Sequence, residues 1–511
     1  MKSLMPRLEL PPLHPVFGVC LLLGTGCSDL LGADFERRRA LRNTAPVAQN
    51  LELRVVEGTT HNLGRMLATD EENDALTYRI ATGPTRGRLT RFDSDTGEFV
   101  YEPLSGESGE DAFEFHVDDA AGSHSRVPGR VKVQIWPFGP IKLDPEEHRI
   151  GNTELGTSVV IEGDTALIGA EEKGAVYVAR QQTDGTWKCV QGIHPPAEIE
   201  SDPLHFGWSV ALSGAWAMIS AWGNFLEDPE PWPPPPGRVF FYKRNDQDVF
   251  EYAQSFVGPA SRVGDLFGMD VSLHGTRAVA SAHEDESVQP YELHENGTWV
   301  ALPPIPSPDG QSDDSFGLDT ALEGDTLAVS APGHDSPRVD AGVVYVYAWR
   351  AGWQLEQKLY PVGQNVDGYQ LRALALAQGR LLAGAAEAGG GVGAAYVFER
   401  LPSGGWSAPQ PLPYASTANR NFGWTVALDG NLALIGMMNR TTFLGGAVLF
   451  RKEAAVWEEY KRLGSAGGDG FSSSLAVHGQ VVAVGAVSER PAGAVFFYNV
   501  PEPGTEPKPS E

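Results

Sequence analysis

Between Ala45 and about Trp136, apolar and polar residues alternate with a period of two in short runs: Leu51 to Val56 (LELRVV), Leu76 to Ile80 (LTYRI), Glu98 to Tyr101 (EFVY), Ala112 to Val117 (AFEFHV) and Val131 to Ile135 (VKVQI). Such alternation, broken by Gly-rich turns, predicts antiparallel strands with one buried and one wet face. A segment of about 90 residues suits an immunoglobulin-like β-sandwich.

Beyond it a longer pattern takes over, with a period of about 50 residues. The motif FG-x-x-[VT]-A-L-x-G, an apolar strand and then G-x-V-[YF]-x-[YF] recurs to the C-terminus. Its openings fall at Leu155-Gly156, Phe206-Gly207, Phe267-Gly268, Phe316-Gly317, Leu371-Arg372, Phe422-Gly423 and Phe471-Ser472. Eight places after each opening stands a glycine: Gly163, Gly214, Gly275, Gly324, Gly379, Gly430 and Gly479. Each copy carries four strand-like runs, in the fourth copy Leu318 to Leu322, Thr326 to Ser330, Val343 to Tyr347 and Trp353 to Leu359, and the glycine permits a tight hairpin between the first two. A four-stranded unit cannot bury both faces alone, so seven copies stacked radially predict a seven-bladed β-propeller. The seventh copy ends after three strands at Val495 to Tyr498; Trp136 to Leu143 (WPFGPIKL), resembling WQLEQKL (353–359) and WEEYKRL (457–463), is expected to supply the fourth.

The all-β expectation is therefore an N-terminal sandwich followed by a propeller. The divisions are 1–26 a signal peptide, 27–43 a tether, 44–135 the sandwich, 136–503 the propeller and 504–511 a disordered tail. Gly 59 and Pro 38, without a low-complexity period, agree with many short strands and turns. The net charge of −27 opposes phosphate backbones and anionic headgroups, so nucleic acid is not an expected partner. Of the three cysteines, Cys20 and Cys27 lie in the leader and only Cys189 in the body, so no internal disulfide framework forms. Cys189, on an expected outer strand with no activating base in view, reads as a buried small residue.

Lys2 and Arg7, the apolar run Val16 to Leu23 and the small residues before Cys27 read as an export signal too short to span a bilayer. LLLGTGC resembles the lipobox of bacterial lipoproteins, which implies acylation of Cys27 and contact with a membrane only through that lipid. The alternative is an ordinary secretory signal cut nearby. The expected location is the outer membrane or cell surface, or else secretion or the periplasm.

The strings NTAPVAQN, ATDEENDALTYRI, FDSDTGEFVYEP and SGEDAFEFHVDD resemble bacterial immunoglobulin-like and cadherin-like repeats, implying a spacer or adhesive module. The seven copies resemble FG-GAP repeats, the blades of integrin α-chain propellers, with the third and fifth degraded: VQPYELH replaces G-x-V-Y-x-Y in the third, and the fifth lacks the FG pair. Calcium is the one cofactor to weigh. Asp70, Glu71, Asp74, Asp118 and Asp119 are candidate ligands in the first domain, although acidic turn residues explain them more simply. No copy has the D-x-D-x-D-G loop; the nearest segments, around Asp309 to Asp314 and Asp335 to Asp340, lack its spacing.

No G-x-S-x-G, H-E-x-x-H, paired CxxC or phosphate loop occurs, and His283, Glu284 and Asp285 read as solvated loop residues. The long loop Ala221 to Pro236 sets Trp222, Phe225 and Trp232 among prolines, which makes them tentative ligand-binding residues for a sugar or peptide. Packing over the blade edge is the competing explanation. These features favour a non-enzymatic binding or adhesion protein with a protein or glycan ligand at the cell surface. The alternatives are an assembly component of an envelope complex and, behind it, a propeller hydrolase, which would need carboxylates converging on a central channel.

Overall fold

In a computed structural model the residues described are 43–143, 154–199, 205–222, 237–258, 266–309, 314–335, 341–361, 371–414, 421–438, 445–464, 470–489 and 492–505. They form an all-β chain. The first domain packs two sheets face to face. One has the order Leu51–Val56, Gly129–Trp136, Gly109–Asp119, Leu76–Thr82, and the other Asn62–Arg65, Glu98–Pro103, Gly87–Phe92. The alternating apolar residues meet between them: Phe99, Tyr101, Phe113, Phe115, Val131 and Val133 are all buried. Leu51–Val56 runs parallel to Gly129–Trp136, the other pairs of its sheet being antiparallel.

The other described residues form seven sheets of four or five antiparallel strands. From inside outward, the first is Val159–Glu162, Thr165–Ala170, Ala175–Gln181 and Trp187–Ile193; the second is Phe206–Ser213, Trp216–Ala221, Arg238–Arg244 and Phe250–Val257. The third, Val271–His274, Arg277–Ala282, Ser287–Leu293 and Trp299–Ala301, gains the short strand Ile305–Pro306 beside its third. The fourth is Thr320–Glu323, Thr326–Ala331, Val343–Trp349 and Trp353–Leu359, and the fifth Ala373–Ala377, Arg380–Ala385, Ala394–Glu399 and Gln410–Pro411. The sixth is Val426–Asp429, Leu432–Met438, Gly445–Glu453 and Val456–Leu463. In the seventh, Phe471–His478, Val481–Ala486 and Ala494–Asn499 are completed by Ile141–Leu143 from before the first. The inner strand of each sheet packs against the next, and that of the seventh against that of the first. The second strands are buried throughout their length in the first, second and seventh sheets, because both faces are covered by neighbouring sheets.

Glycine does specific work at two recurring positions. In the hairpin between first and second strands the glycines hold φ between 54° and 69° (Gly430 and Gly379), a left-handed conformation open to glycine without penalty. The glycine of the FG pair also holds positive φ and lies against the preceding sheet; a Cβ on Gly423 would come within 2.3 Å of the Ala394 carbonyl oxygen. Ser472 takes this position in the seventh copy at φ 73°, its hydroxyl donating to the Met437 carbonyl at 2.9 Å.

One expected strand boundary changes. Trp136 ends the last strand of the first domain, paired with Val56, so the outer strand of the seventh sheet is Ile141–Leu143 rather than the whole of 136–143. The reason is competition for Trp136: Arg54 stacks 4.1 Å from its ring centroid, and its indole N–H donates to the Thr183 carbonyl at 3.0 Å. Of the expected tail only Gly504 and Thr505 are among the described residues, and the Thr505 carbonyl accepts the Thr60 amide at 2.7 Å.

Candidate functional site

Side chains link neighbouring sheets at three levels. At the hairpin level, the residue before the glycine accepts the next sheet's hairpin amide in five copies: Glu162 from Gly214 at 2.7 Å, Ser213 from Gly275 at 3.0 Å, His274 Nδ1 from Gly324 at 3.1 Å, Glu323 from Gly379 at 3.1 Å and Asp429 from Gly479 at 2.7 Å. On the outside, a glutamine amide pairs both backbone groups of the next outer aromatic residue: Gln191 with Phe250, Gln254 with Trp299, Gln357 with Trp406.

The innermost level carries the chemistry. Three places after each opening residue stand Ser158, Ser209, Asp270, Asp319, Leu374, Thr425 and Ser474. The hydroxyls of Ser158, Thr425 and Ser474 donate to the next sheet's backbone at Gly207, Ser472 and Gly156, at 2.9, 3.0 and 2.8 Å. Asp270 and Asp319 replace hydroxyls with carboxylates. Asp270 accepts the Ser209 hydroxyl at 3.2 Å, the Thr320 amide at 2.9 Å and the Thr320 hydroxyl at 2.6 Å; Asp319 accepts the Leu374 amide at 3.0 Å.

These residues line a cavity of about 670 Å³ to which the inner strands of all seven sheets contribute. Burial drives the Asp319 carboxyl well above the usual carboxylate range, the Asp270 charge adds to this, and the Leu374 amide and the Arg372 charge oppose it. Asp270 is also raised by burial, against the pull of its Thr320 hydrogen bonds. Arg372 lies with its guanidinium 4.4 Å from the Trp424 ring centroid. Glu154, at the cavity's edge, is raised by burial and then by Glu172 and Glu171. The carboxylate convergence that the sequence reading did not find is thus present, built from repeat positions instead of a linear motif.

The expected site residues fare unequally. Trp222, half-buried, stacks on His205 (4.5 Å between centroids, 18° between planes) and meets Trp208 edge-on at 5.3 Å, while His205 Nδ1 lies 3.4 Å from Glu171. It packs at the FG end of the second sheet, close to the cavity wall formed by Trp208. Phe225, Trp232 and Cys27 lie outside the described residues. His283, expected to be solvated, is instead 7% exposed; burial lowers its imidazole to about 4, and its Nδ1 has no hydrogen-bond partner. Cys189 is partly buried, and burial pushes its thiol up to about 12, away from reactivity.

The calcium candidates in the first domain bond to different partners, although the charges of Glu72 and Asp119 both act on Asp70. Asp118 turns to His124 at 2.7 Å and Arg79 at 3.8 Å, and Glu71 is exposed. Asp119 accepts from Asn43 at 2.7 Å and from the Ser123 amide at 2.8 Å, and Asp70 caps the Asp74 amide at 2.8 Å. In the fourth sheet, Asp309 is held by the Tyr345 hydroxyl at 2.8 Å and by the Lys358 ammonium, and Asp314 lies 3.1 Å from His334 Nδ1. Among the described residues no group of three or more His, Cys, Asp or Glu is arranged to hold a metal ion. No described helix is long and apolar enough to cross a membrane.

Residues 43–137 match the bacterial cadherin-like domain. Residues 299–347 match the FG-GAP repeat, covering the end of the third sheet and most of the fourth. No curated protein matches the chain. Similar solved structures include a protein from Lactobacillus plantarum, 13% identical, covering 63% of this chain and 94% of that one at TM-score 0.41. A functionally unknown protein from Desulfotomaculum acetoxidans is 10% identical, covering 68% and 89% at TM-score 0.43. A quinonprotein alcohol dehydrogenase-like protein from Bacteroides thetaiotaomicron is 9% identical, covering 81% and 96% at TM-score 0.38.

Proposed function

We propose that this chain is a non-enzymatic binding protein of the bacterial cell envelope, in which a cadherin-like module carries a closed seven-bladed propeller, integrin α-like in its repeats, and presents the FG end of that propeller to a protein or glycan ligand. The observation that carries this reading is polarity. The first domain meets the hairpin end, through Trp136 on Thr183 and Thr60 on Thr505. Trp208, which lines the cavity, and Trp222 and His205 stacked beside it belong to the other end, since Ala221 pairs with Phe206. An anchor at Cys27, acylated as the lipobox resemblance implies, lies upstream of the first domain and leaves the FG end pointing outward. Closure is supported by the hydrogen bonds from the Leu155 amide to Ala492 and from the Ser474 hydroxyl to Gly156, which join the seventh sheet to the first.

The carboxylate pair favours one second reading, a hydrolase acting in the channel. Against it, both aspartates already accept hydrogen bonds from the neighbouring sheet, so neither is a free base beside an open substrate position. The deciding experiment probes the full chain on arrays of glycans and envelope proteins, in parallel with a panel of glycoside and ester substrates. Binding that is lost in Trp208→Ala and kept without the first domain supports the proposal. Binding carried by residues 43–137 alone, or turnover abolished by Asp319→Asn, overturns it.

A further inference from the structure

Six of the seven inner strands join their neighbour through the residue three places after the opening, and in four of these the joining group is an uncharged hydroxyl. Hydroxyls hold such junctions at any pH. Asp270 and Asp319 stand on adjacent sheets and perform the same task with groups that change charge, each enclosed in the wall of the cavity. We propose that Asp270 and Asp319 form a proton-operated clasp: with one proton on the pair the third, fourth and fifth sheets are held together, and losing it loosens their inner strands.

The groups facing the pair bear this out. The Asp270 carboxylate is met by the Ser209 hydroxyl from the second sheet and the Thr320 amide and hydroxyl from the fourth, all uncharged donors, while Ser281 of its own sheet bonds its backbone. Asp319 is met by the Leu374 amide and by Arg372 from the fifth sheet, while Ser330 of its own sheet bonds its backbone. Among the described residues lining the cavity Arg372 is the one cation, against Glu154, Glu171, Asp270 and Asp319. A second negative charge on the pair is therefore opposed by a single guanidinium that also stacks on Trp424. Two nearby carboxylates under these conditions do not both ionise readily.

Because folding raises both carboxyl groups, the native state holds a proton that the unfolded chain has released. Stability from the pair is complete below the ordinary Asp range and falls as pH rises through the folded titration. Carboxylates elsewhere that are lowered, such as Asp111 and Asp119, act in the opposite sense, so the test compares variants.

Thermal melting of the full chain between pH 4 and 9 is measured for the wild type and for Asp319→Asn, whose amide can still accept from Leu374. The expected result is that the variant gains on the wild type steadily as pH rises. Equal pH dependence in the two would overturn the clasp. Should the variant not fold, amide exchange on the wild type decides. Protection of Leu374 and Thr320 is expected to fall with pH by up to about tenfold for each unit of the pair's upward shift. Gly214 and Gly479, in the hairpin level, should keep theirs. Uniform loss at all four amides, or none, overturns the proposal.

Discussion

His283 is a single residue on which acid stability can be argued with a sign. Buried against the end of the second strand of its sheet, its imidazole is lowered to about 4 from an ordinary 6.5. The unfolded chain takes up a proton that the native state refuses, so stability is full above about pH 6.5 and is lost as pH falls toward 4. The loss reaches at most about 3 kcal/mol. His283→Gln should flatten denaturant midpoints between those pH values; an unchanged acid slope would show that His283 carries no such penalty. Glycine offers a second contrast. Gly423 and Gly479 both hold positive φ, but a Cβ on Gly479 meets nothing within 4 Å while one on Gly423 runs into the Ala394 carbonyl. Gly479→Ala should cost about 1–2 kcal/mol of backbone strain. Gly423→Ala should cost roughly twice that or more. Equal losses in urea melts would mean the close approach matters less than the dihedral angle.

The sheets are joined edge-on by side chains, and one glutamine tests how much an outer junction contributes. Gln254→Ala removes two hydrogen bonds and leaves the Trp299 amide and carbonyl without that partner, a cost of about 1–3 kcal/mol. Gln410, also on an outer strand but exposed, should cost less than about 0.5 kcal/mol when changed to alanine. Comparable values for the two would dismiss the outer glutamines as a structural device. Strands and hairpins were legible in the sequence because period-two alternation and the glycine eight places after each opening are local signals. The outer strand of the seventh sheet was misplaced by five residues because Trp136 imitates the tryptophan of WQLEQKL, whereas it is Phe138 that lies under Lys461, 3.5 Å from the ammonium to the ring centroid. Asp270 and Asp319 were overlooked for a different reason. No linear motif holds them; only the comparison of one position across seven copies shows carboxylates where four copies have serine or threonine and the fifth has Leu374. The stack of Trp222 on His205 and the pairing of His334 with Asp314 depend on tertiary contact, and local sequence carries no sign of either.

At the scale of the whole chain, the seventh sheet borrows its outer strand from a segment that directly follows the first domain, so the two units share a boundary only four residues long between Trp136 and Ile141. A chain beginning at Pro137 keeps Ile141–Leu143 and should melt in one transition. One beginning at residue 144 leaves Ala494–Asn499 as an open edge and should melt lower and self-associate, as unpaired edges do. The C-terminus closes the arrangement from the other side. Asn499 reaches Pro137 and Gln181, the Pro501 carbonyl accepts from Arg451 at 2.7 Å, and Thr505 accepts from Thr60, so the last residues strap the first domain to the first, sixth and seventh sheets. Between strap and domain lies a groove of about 1130 Å³, lined by Arg54, His61, Trp136 and Glu502 among others, which the domain would close or open if it swung. Ending the chain after Val500 removes the Thr505 contact and the Pro501 carbonyl while leaving every strand in place. The sheets should then lose only about 1–2 kcal/mol from the missing hydrogen bonds. Small-angle scattering should nevertheless report a broader spread of distances between the two units. An unchanged scattering profile would mean that Trp136, gripped by Arg54 and Thr183, fixes the orientation alone, and Trp136→Ala in the shortened chain would then be the change that releases it.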